Sequence, residues 1–133
     1  MTGSRSKALR LRLAAVAAAV SAALGGAASA QDIAAGEKTF NVCRACHEIG
    51  PDAKNSIGPV LTGVFGRKAG MFPGYSYSDA NKNSGLTWDE ATLTEYLKNP
   101  RGKVPGTKMI FAGLRKGDDV ANVIAFLKQH SVD

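Results

Sequence analysis

The chain of 133 residues has only two cysteines and two histidines, and aromatic residues make up 7% of it. Two cysteines allow at most one crosslink, which excludes a disulfide-rich scaffold. Lys and Arg never form a run longer than two residues, so the basic and aromatic pattern of a nucleic-acid-binding protein is missing. The weakly apolar stretch at residues 13–24 is too short to span a bilayer, and no second one follows. We therefore expect no nucleic-acid partner and no stable membrane insertion.

The first thirty residues have the features of a secretory signal peptide. They carry four basic residues and no acidic one, then the apolar stretch, then the small residues Ala28-Ser29-Ala30 that suit cleavage. The basic residues are Arg5, Lys7, Arg10 and Arg12. We predict a cleaved leader over residues 1–30 and a single small domain over residues 31–133. Removing the leader lowers the formal charge from +6 to +2, because all eleven acidic residues lie after it.

The two cysteines lie in the sequence Cys43-Arg44-Ala45-Cys46-His47. Cys-x-x-Cys-His is the attachment signature of a covalently bound c-type haem. On a helix, positions i, i+3 and i+4 share one face, so Cys43, Cys46 and His47 can address one flat ligand. The thiols would form thioethers with the porphyrin vinyl groups, and the imidazole would bind the iron from one axial side.

Three other interpretations of the motif compete with haem attachment. A redox dithiol normally follows a β-strand, and no strand-like run precedes Cys43. A structural zinc site needs four ligands, but His130 is the only other histidine and has no matching spacing. A disulfide between Cys43 and Cys46 would leave His47 without a role. The haem interpretation is favoured, and a thiol or disulfide function stays open at this point.

Two helices are indicated by apolar residues at helical spacing on either side of the middle of the chain. Asp32 can cap a helix that runs through Ile33, Gly36 and Phe40 to the cysteine motif, where Gly36 would permit close approach of a partner helix. The expected partner is the last helix, capped by Asp118 or Asp119. Its apolar stripe consists of Val120, Val123, Ile124 and Leu127.

A third helix is indicated by the capping box Thr87-Trp88-Asp89-Glu90 and by Leu93, Tyr96 and Leu97 after it. Asn99-Pro100 should end it. Residues 50–85 contain seven glycines and three prolines and are predicted to form loops with short helical turns. A loop region this long in a small domain is expected where it wraps a ligand. The fold class predicted is all-α, with three main helices.

Met109 is the candidate for a second axial ligand. It lies near the centre of a loop rich in turn-forming residues, at 101–113, and a thioether is a soft ligand suited to haem iron. Met71, the other methionine after the leader, lies in a Gly-rich turn with only Phe72 as an apolar neighbour. The alternative is that Met109, beside Ile110 and Phe111, only fills space in the core.

Taken together, these residues resemble a class I c-type cytochrome, close to the mitochondrial protein and to the bacterial cytochromes c2, across residues 31–133. The segments that carry the resemblance, besides the cysteine motif, are Gly58-Pro59, Gly66-Arg67-Lys68, residues 75–83 (YSYSDANKN), Leu86-Thr87-Trp88 and residues 105–113 (PGTKMIFAG). The resemblance implies a single-domain cytochrome c fold whose loops wrap one haem c. With the leader, it implies a periplasmic form.

The resemblance also implies roles for individual residues. Cys43 and Cys46 would carry the thioethers, and His47 and Met109 would be the axial ligands. Pro59 would accept the His47 ring N–H through its carbonyl, which fixes the tautomer. The haem propionates would be contacted by Arg67, Tyr77 and Trp88, and Tyr96, Asn81 and Thr107 would surround Met109 and the inner propionate.

The function implied is one-electron transfer and not enzymatic catalysis, in a protein expected to be a monomer. Partners in the family are membrane complexes (a bc1-type complex, a terminal oxidase or a photosynthetic reaction centre) or soluble periplasmic oxidoreductases. Family members dock through lysines, yet Val42 stands where the mitochondrial pattern has one. Candidates for a positive rim are Lys38, Lys54, Lys68, Lys82, Lys98, Lys103 and Lys108. The alternative function is a catalytic or gas-sensing haem protein, which would need a displaceable sixth ligand.

Overall fold

The computed structural model of the chain describes residues 31–131, and the predicted signal peptide lies outside the described residues. The described part contains five α-helices: α1 (Ile33–Phe40), α2 (Asp79–Lys82), α3 (Glu90–Lys98), α4 (Pro100–Lys103) and α5 (Gly117–Gln129). A short 3-10 helix covers Cys43–Ala45. Between residues 31 and 131, one bridge between Lys68 and Thr87 is the only extended pairing. The all-α prediction with three main helices, α1, α3 and α5, is confirmed.

Helix α1 begins as the sequence predicts and ends earlier. The Asp32 carboxylate accepts a hydrogen bond from the Ala35 N–H at 2.9 Å, which makes Asp32 the N-cap. The helix ends at Phe40, and the prediction that it runs into the cysteine motif is wrong. The motif instead lies in the 3-10 helix and the turn after it, where the His47 N–H bonds the Cys43 carbonyl at 2.9 Å. This turn holds Cys43, Cys46 and His47 together.

The cap of α3 lies two residues later than the capping box predicts. Asp89, not Thr87, is the N-cap, and its carboxylate accepts from the Thr92 N–H at 2.8 Å. Thr87 belongs to the bridge with Lys68, so its backbone is extended before the helix starts. The predicted stop is confirmed: α3 ends at Lys98, and Asn99 then caps the short helix α4, which begins with Pro100.

The last helix also begins earlier than predicted. The N-cap of α5 is Lys116, which makes no side-chain capping bond, and the prediction of Asp118 or Asp119 as cap is wrong. Both carboxylates lie in the first turn, where they interact favourably with the positive end of the helix dipole. The predicted apolar stripe is buried in full, since Val120, Val123, Ile124 and Leu127 are each at most 3% exposed.

Helices α1 and α5 pack closely against each other at Gly36. A Cβ atom added there would lie 2.0 Å from the Asn122 carbonyl oxygen, so only glycine allows this crossing. Next to it, the Phe40 and Phe126 rings pack with their centroids 5.0 Å apart. The Asp32 N–H donates to Asn122 Oδ1 at 2.8 Å, which fixes the start of α1 on α5. The first and last elements therefore form one side of the core.

Side chains hold the long loops between α1 and α3 in place. The Asn55 amide donates to the Pro73 carbonyl at 3.0 Å and accepts from the Val60 N–H at 3.1 Å. Thr62 exchanges two hydrogen bonds with the Gly50 backbone, at 2.7 and 2.8 Å. These contacts fix the loops around a cavity beside the core. Within residues 31–131, none of the helices is both long and apolar enough to cross a membrane.

Candidate functional site

The loops and helices enclose a largely apolar cavity of about 480 Å³. A volume of this size is typical of cofactor sites. All eleven residues predicted for the site line this one cavity: Cys43, Cys46, His47, Pro59, Arg67, Tyr77, Asn81, Trp88, Tyr96, Thr107 and Met109. They come from segments far apart in the sequence, so the fold assembles the site.

The His47 ring is fixed by the segment at residues 58–59. Its Nδ1 lies 2.7 Å from the Pro59 carbonyl oxygen. A carbonyl can only accept, so Nδ1 carries the proton and Nε2 keeps its lone pair. Burial lowers the pKa of His47, although the contact with Pro59 opposes this in part. The imidazole is therefore neutral at neutral pH and can act as a metal ligand.

Gly58 has a role at the site that the sequence did not indicate. A Cβ atom added to Gly58 would lie 2.3 Å from Cε1 of His47 and under 3 Å from both ring nitrogens. The Gly58 N–H also donates to the Cys46 carbonyl at 2.7 Å. The backbone of Gly58 thus lies against the imidazole ring while it ties the loop to the cysteine motif. The only signal in the sequence was a glycine directly before Pro59.

Met109 is held by α3 and by its own loop. The Tyr96 hydroxyl donates to Met109 Sδ at 3.1 Å, and the Met109 N–H bonds Thr107 Oγ1 at 3.3 Å. Burial raises the pKa of Tyr96, so the phenol stays neutral and keeps its proton as a donor. Met109 packs against the buried core but is itself only partly buried. The structure thus places its sulfur in a polar contact at the cavity wall, which simple core filling does not require.

Arg67 and Tyr77 form a polar pair at the cavity. The Arg67 guanidinium donates to the carbonyls of Val60 and Thr62, at 2.8 and 2.6 Å, and lies 4.5 Å from the centroid of the Phe72 ring. Burial lowers the pKa of Arg67 and raises that of Tyr77, and the contact between the two opposes both shifts. Since two bonds fix the guanidinium, its remaining N–H groups can serve an anionic group in the cavity.

Asn81 and Trp88 line the cavity beside this pair. Asn81 Oδ1 is buried and has no hydrogen-bond partner among residues 31–131. A buried polar atom without a partner is costly and indicates a group that the chain itself does not supply. Trp88 is 7% exposed, and its ring centroid lies 4.6 Å from that of Tyr96. The cavity therefore combines apolar surface with a buried polar atom that lacks a hydrogen-bond partner in the described chain.

The family model for cytochrome c matches residues 33–131. The chain belongs to the cytochrome c family. It is 55% identical over 106 residues to cytochrome c2 of Blastochloris viridis, covering 80% of this chain and 84% of that protein. It is 59% identical over 104 residues to cytochrome c2 of Rhodoblastus acidophilus, covering 78% and 97%.

Among solved structures, cytochrome cH from Methylobacterium extorquens is similar, with a TM-score of 0.70 and 52% identity. The match covers 74% of this chain and 98% of that one. Membership of the family makes this protein an electron-transport protein with one covalent haem c, attached through Cys43 and Cys46. The predictions of the fold family and of the cofactor are confirmed.

The residues around the cavity fit a haem in this cytochrome. Two thiols and a neutral imidazole lie together on its wall, with a thioether, fixed cationic and phenolic groups and an unpartnered amide oxygen elsewhere. Burial raises the pKa of the Cys43 thiol to about 11; Arg44 lowers it and Cys46 adds to the rise. A thiol with so high a pKa is protonated at neutral pH and is a poor nucleophile.

Three of the apolar side chains that line the cavity are exposed, and they mark the mouth where it opens to the surface. They are Val42, Ile57 and Ile110, which are 57%, 71% and 89% exposed. Among the described residues that line the cavity, Arg67 and Lys108 are positively charged and none is acidic. Lys108 lies 4.4 Å from the centroid of the Tyr75 ring and contacts the Ser76 carbonyl. The mouth is therefore apolar with positive charge beside it.

Of the seven lysines predicted for a positive rim, Lys108 is the one that lines the cavity. Lys82 pairs with Asp79 at 3.2 Å, and Lys103 pairs with Glu95. These pairs tie two of the seven charges to carboxylates of the same chain.

Proposed function

We propose that this cytochrome is a monomeric periplasmic one-electron carrier whose haem iron is bound by His47 Nε2 and Met109 Sδ. When bound, the haem supplies an iron that changes between the ferric and ferrous states. What the chain itself does is hold ligands: the Pro59 carbonyl fixes the imidazole, and the Tyr96 hydroxyl donates to the sulfur at 3.1 Å. The Tyr96–Met109 contact carries the proposal, because it holds the thioether at the cavity wall.

The remaining site residues would serve the periphery of the haem. Arg67, Tyr77 and Trp88 would contact the propionates, whose charges are costly to bury without partners. Asn81, Tyr96 and Thr107 would form the polar surroundings of Met109 and the inner propionate, and the unpartnered Asn81 Oδ1 supports this role. With His47 and Met109 both holding the iron, no position would stay open for a substrate. This is why we assign a carrier and not an enzyme.

The assignment is tested by absorption spectra of haem-matured protein, oxidised and reduced, for the natural chain and for Met109→Ala. The natural chain should show low-spin bands and the weak far-red band of iron–methionine ligation. Met109→Ala should keep the covalent haem, lose the far-red band, bind external ligands and have a lower reduction potential. Met71→Ala, a change at an exposed methionine away from the cavity, is the control and should behave as the natural chain.

Two results would contradict the assignment. An unchanged reduction potential in Met109→Ala would show that Met109 does not bind the iron. High-spin spectra of the natural chain would mean an open sixth position and would reassign the protein to catalysis or gas sensing.

Periplasmic location is supported by the features of the leader. The family match begins at residue 33, and the solved relative aligns over 98% of its own length with only 74% of this chain. These bounds support a domain that starts where the predicted signal peptide ends. A mature protein found in the periplasmic fraction, shortened at its amino end, is the expected result.

We further propose that redox partners dock on the mouth formed by Val42, Ile57 and Ile110. The partner that fits this mouth has an apolar surface over its own cofactor and acidic groups beside it. The candidates are a bc1-type complex, a terminal oxidase, a photosynthetic reaction centre or a periplasmic oxidoreductase. Charge complementarity supports this choice, because the mouth has Lys108 and no acidic lining residue in the described chain. Apolar contacts, unlike exposed charges, are not screened by salt.

The docking proposal is tested by the second-order rate of electron transfer to a purified terminal oxidase at several ionic strengths. Ile57→Ser and Ile110→Ser should slow the reaction several-fold at low and high salt alike. Val42→Lys should speed it at low salt only. Met71→Ser is the matched control, since Met71 is 66% exposed but does not line the cavity. If Ile57→Ser and Met71→Ser react equally fast, the mouth is not the docking surface.

A further inference from the structure

Removal of the leader after Ala30 would make Gln31 the first residue of the protein. An amino-terminal glutamine differs from every other first residue in one respect: its α-amine can reach its own side-chain amide in a five-membered ring. Gln31 is exposed and precedes α1, outside any helix. Both reacting groups therefore lie on the surface of the folded protein.

We propose that Gln31 cyclises to pyroglutamate in the mature protein, and this inference rests on the leader removal proposed above. The unprotonated α-nitrogen attacks the side-chain carbonyl carbon Cδ, and an N–Cδ bond forms. The Cδ–Nε2 bond breaks, and ammonia leaves with the proton lost from the α-nitrogen. No oxidant or second reactant is needed. An α-amine has a pKa of about 8, so part of it is unprotonated at neutral pH.

The structure around residue 32 is compatible with the ring. The Asp32 N–H donates to Asn122 Oδ1 at 2.8 Å, which anchors the peptide bond between Gln31 and Asp32 to α5. The ring uses only the α-nitrogen and the side-chain carbons of Gln31, so this peptide bond and its contact with Asn122 are unchanged. The lactam can form after folding as well as before it.

The charge at the start of α1 favours the neutral lactam. The Asp32 carboxylate accepts the Ala35 N–H at 2.9 Å, and the first turn of α1 contains no acidic residue. A free α-ammonium one residue earlier would compete with Ala35 for this carboxylate, and it would add positive charge at the positive end of the helix dipole. Cyclisation removes both effects and leaves the cap of α1 undisturbed.

The test is the intact mass of holoprotein taken directly from a fresh periplasmic extract, together with labelling of free α-amines. The natural chain should have the mass of residues 31–133 with haem, less one ammonia, and its amino end should resist labelling. The matched control is Gln31→Asn, which keeps a side-chain amide but is one methylene too short for the five-membered ring. It should have its full mass and a labelled amino end.

Each other outcome overturns the proposal. Residues 31–133 at full mass with a labelled amino end would refute cyclisation while leaving the leader removal intact, as would ammonia loss that develops only during storage. A first residue other than Gln31 would refute the cleavage site as well. Neither result concerns electron transfer, because the haem spectrum of the same sample reports on that function separately.

Discussion

Gly58 orients the His47 ring without having a side chain of its own. Because a Cβ atom at Gly58 would overlap the ring, Gly58→Ala should turn the imidazole and break the bond from its Nδ1 to the Pro59 carbonyl. An imidazole without this bond is a poorer electron donor, so it stabilises ferric iron less than before. The ferrous state becomes relatively more stable, and the reduction potential should rise. Potentiometric titration and the electron paramagnetic resonance spectrum of the ferric protein measure the change.

Gly117→Ala is the control for this substitution. Nothing lies within 4 Å of a Cβ atom at Gly117, which starts α5 without a left-handed backbone. We expect its potential and spectrum to match those of the natural chain. If Gly58→Ala also matches, the close contact with His47 does not set the properties of the ligand.

Single residues with distinctive chemistry were predictable from the sequence, and residues that act through position were not. Cys43, His47 and Met109 carry groups suited to haem, so their motif and neighbours pointed to the site that the fold assembles. The contribution of Gly58 lies in its backbone. Tyr75 donates its hydroxyl proton to the Ile57 carbonyl, a contact between loops that no local pattern reveals. The proposed ligand roles of His47 and Met109 stay predictions until the spectra are measured.

At the scale of helices, the corrected cap of α3 makes its stability depend on pH. The bond from the Thr92 N–H to the Asp89 carboxylate lowers the pKa of Asp89. As the pH falls, the unfolded chain takes up this proton first, near its usual pKa of about 3.9. The stability that the ionised cap contributes is thus present above that pH and is lost as the pH falls through the lower value of the folded protein.

Asp89→Asn should separate capping from charge. Asparagine caps helices about as well, so this variant should match the natural chain at neutral pH but lose less stability on acidification. Asp89→Ala should be less stable at neutral pH. The measurement is denaturant unfolding of the holoprotein from neutral pH to about pH 2, a range that extends well below the usual aspartate pKa of about 3.9. Thr87→Ala is the control, and if it destabilises α3 as Asp89→Ala does, Thr87 is the cap after all.

The helix ends were misplaced for a physical reason that the sequence does not contain. Thr87-Trp88-Asp89-Glu90 satisfies the capping-box pattern, but Thr87 is extended because it pairs with Lys68, nineteen positions earlier. Likewise, α1 ends at Phe40 and a tighter 3-10 turn takes over at Cys43. Helix type and apolar faces follow from local periodicity, whereas the ends depend on distant contacts.

At the scale of the whole molecule, the haem replaces a large part of the core. Without it, the apolar side chains that line the cavity of about 480 Å³ would contact water, and the fold would lose the stabilisation that their burial gives. Small proteins are stable by only about 5–15 kcal/mol, so they tolerate little loss of apolar burial. We therefore expect the haem-free chain to be largely unfolded.

Far-ultraviolet circular dichroism of the Cys43→Ala/Cys46→Ala chain without haem measures this directly. The helical signal should be mostly lost and should return when free haem is added, which would show that the missing haem and not the substitutions caused the loss. A native-like spectrum without haem would contradict the expectation.

The pairing of α1 with α5 also sets an order of events in time. Synthesis from the amino end makes α1 and the two cysteines first. It makes α5, the helix that must cover α1 at Gly36 and Phe40, last. Until residues 117–129 have been made, this side of the core cannot close. Because the haem-free chain is expected to be largely unfolded, this closure also waits for the haem, and the two cysteines stay accessible for attachment until then.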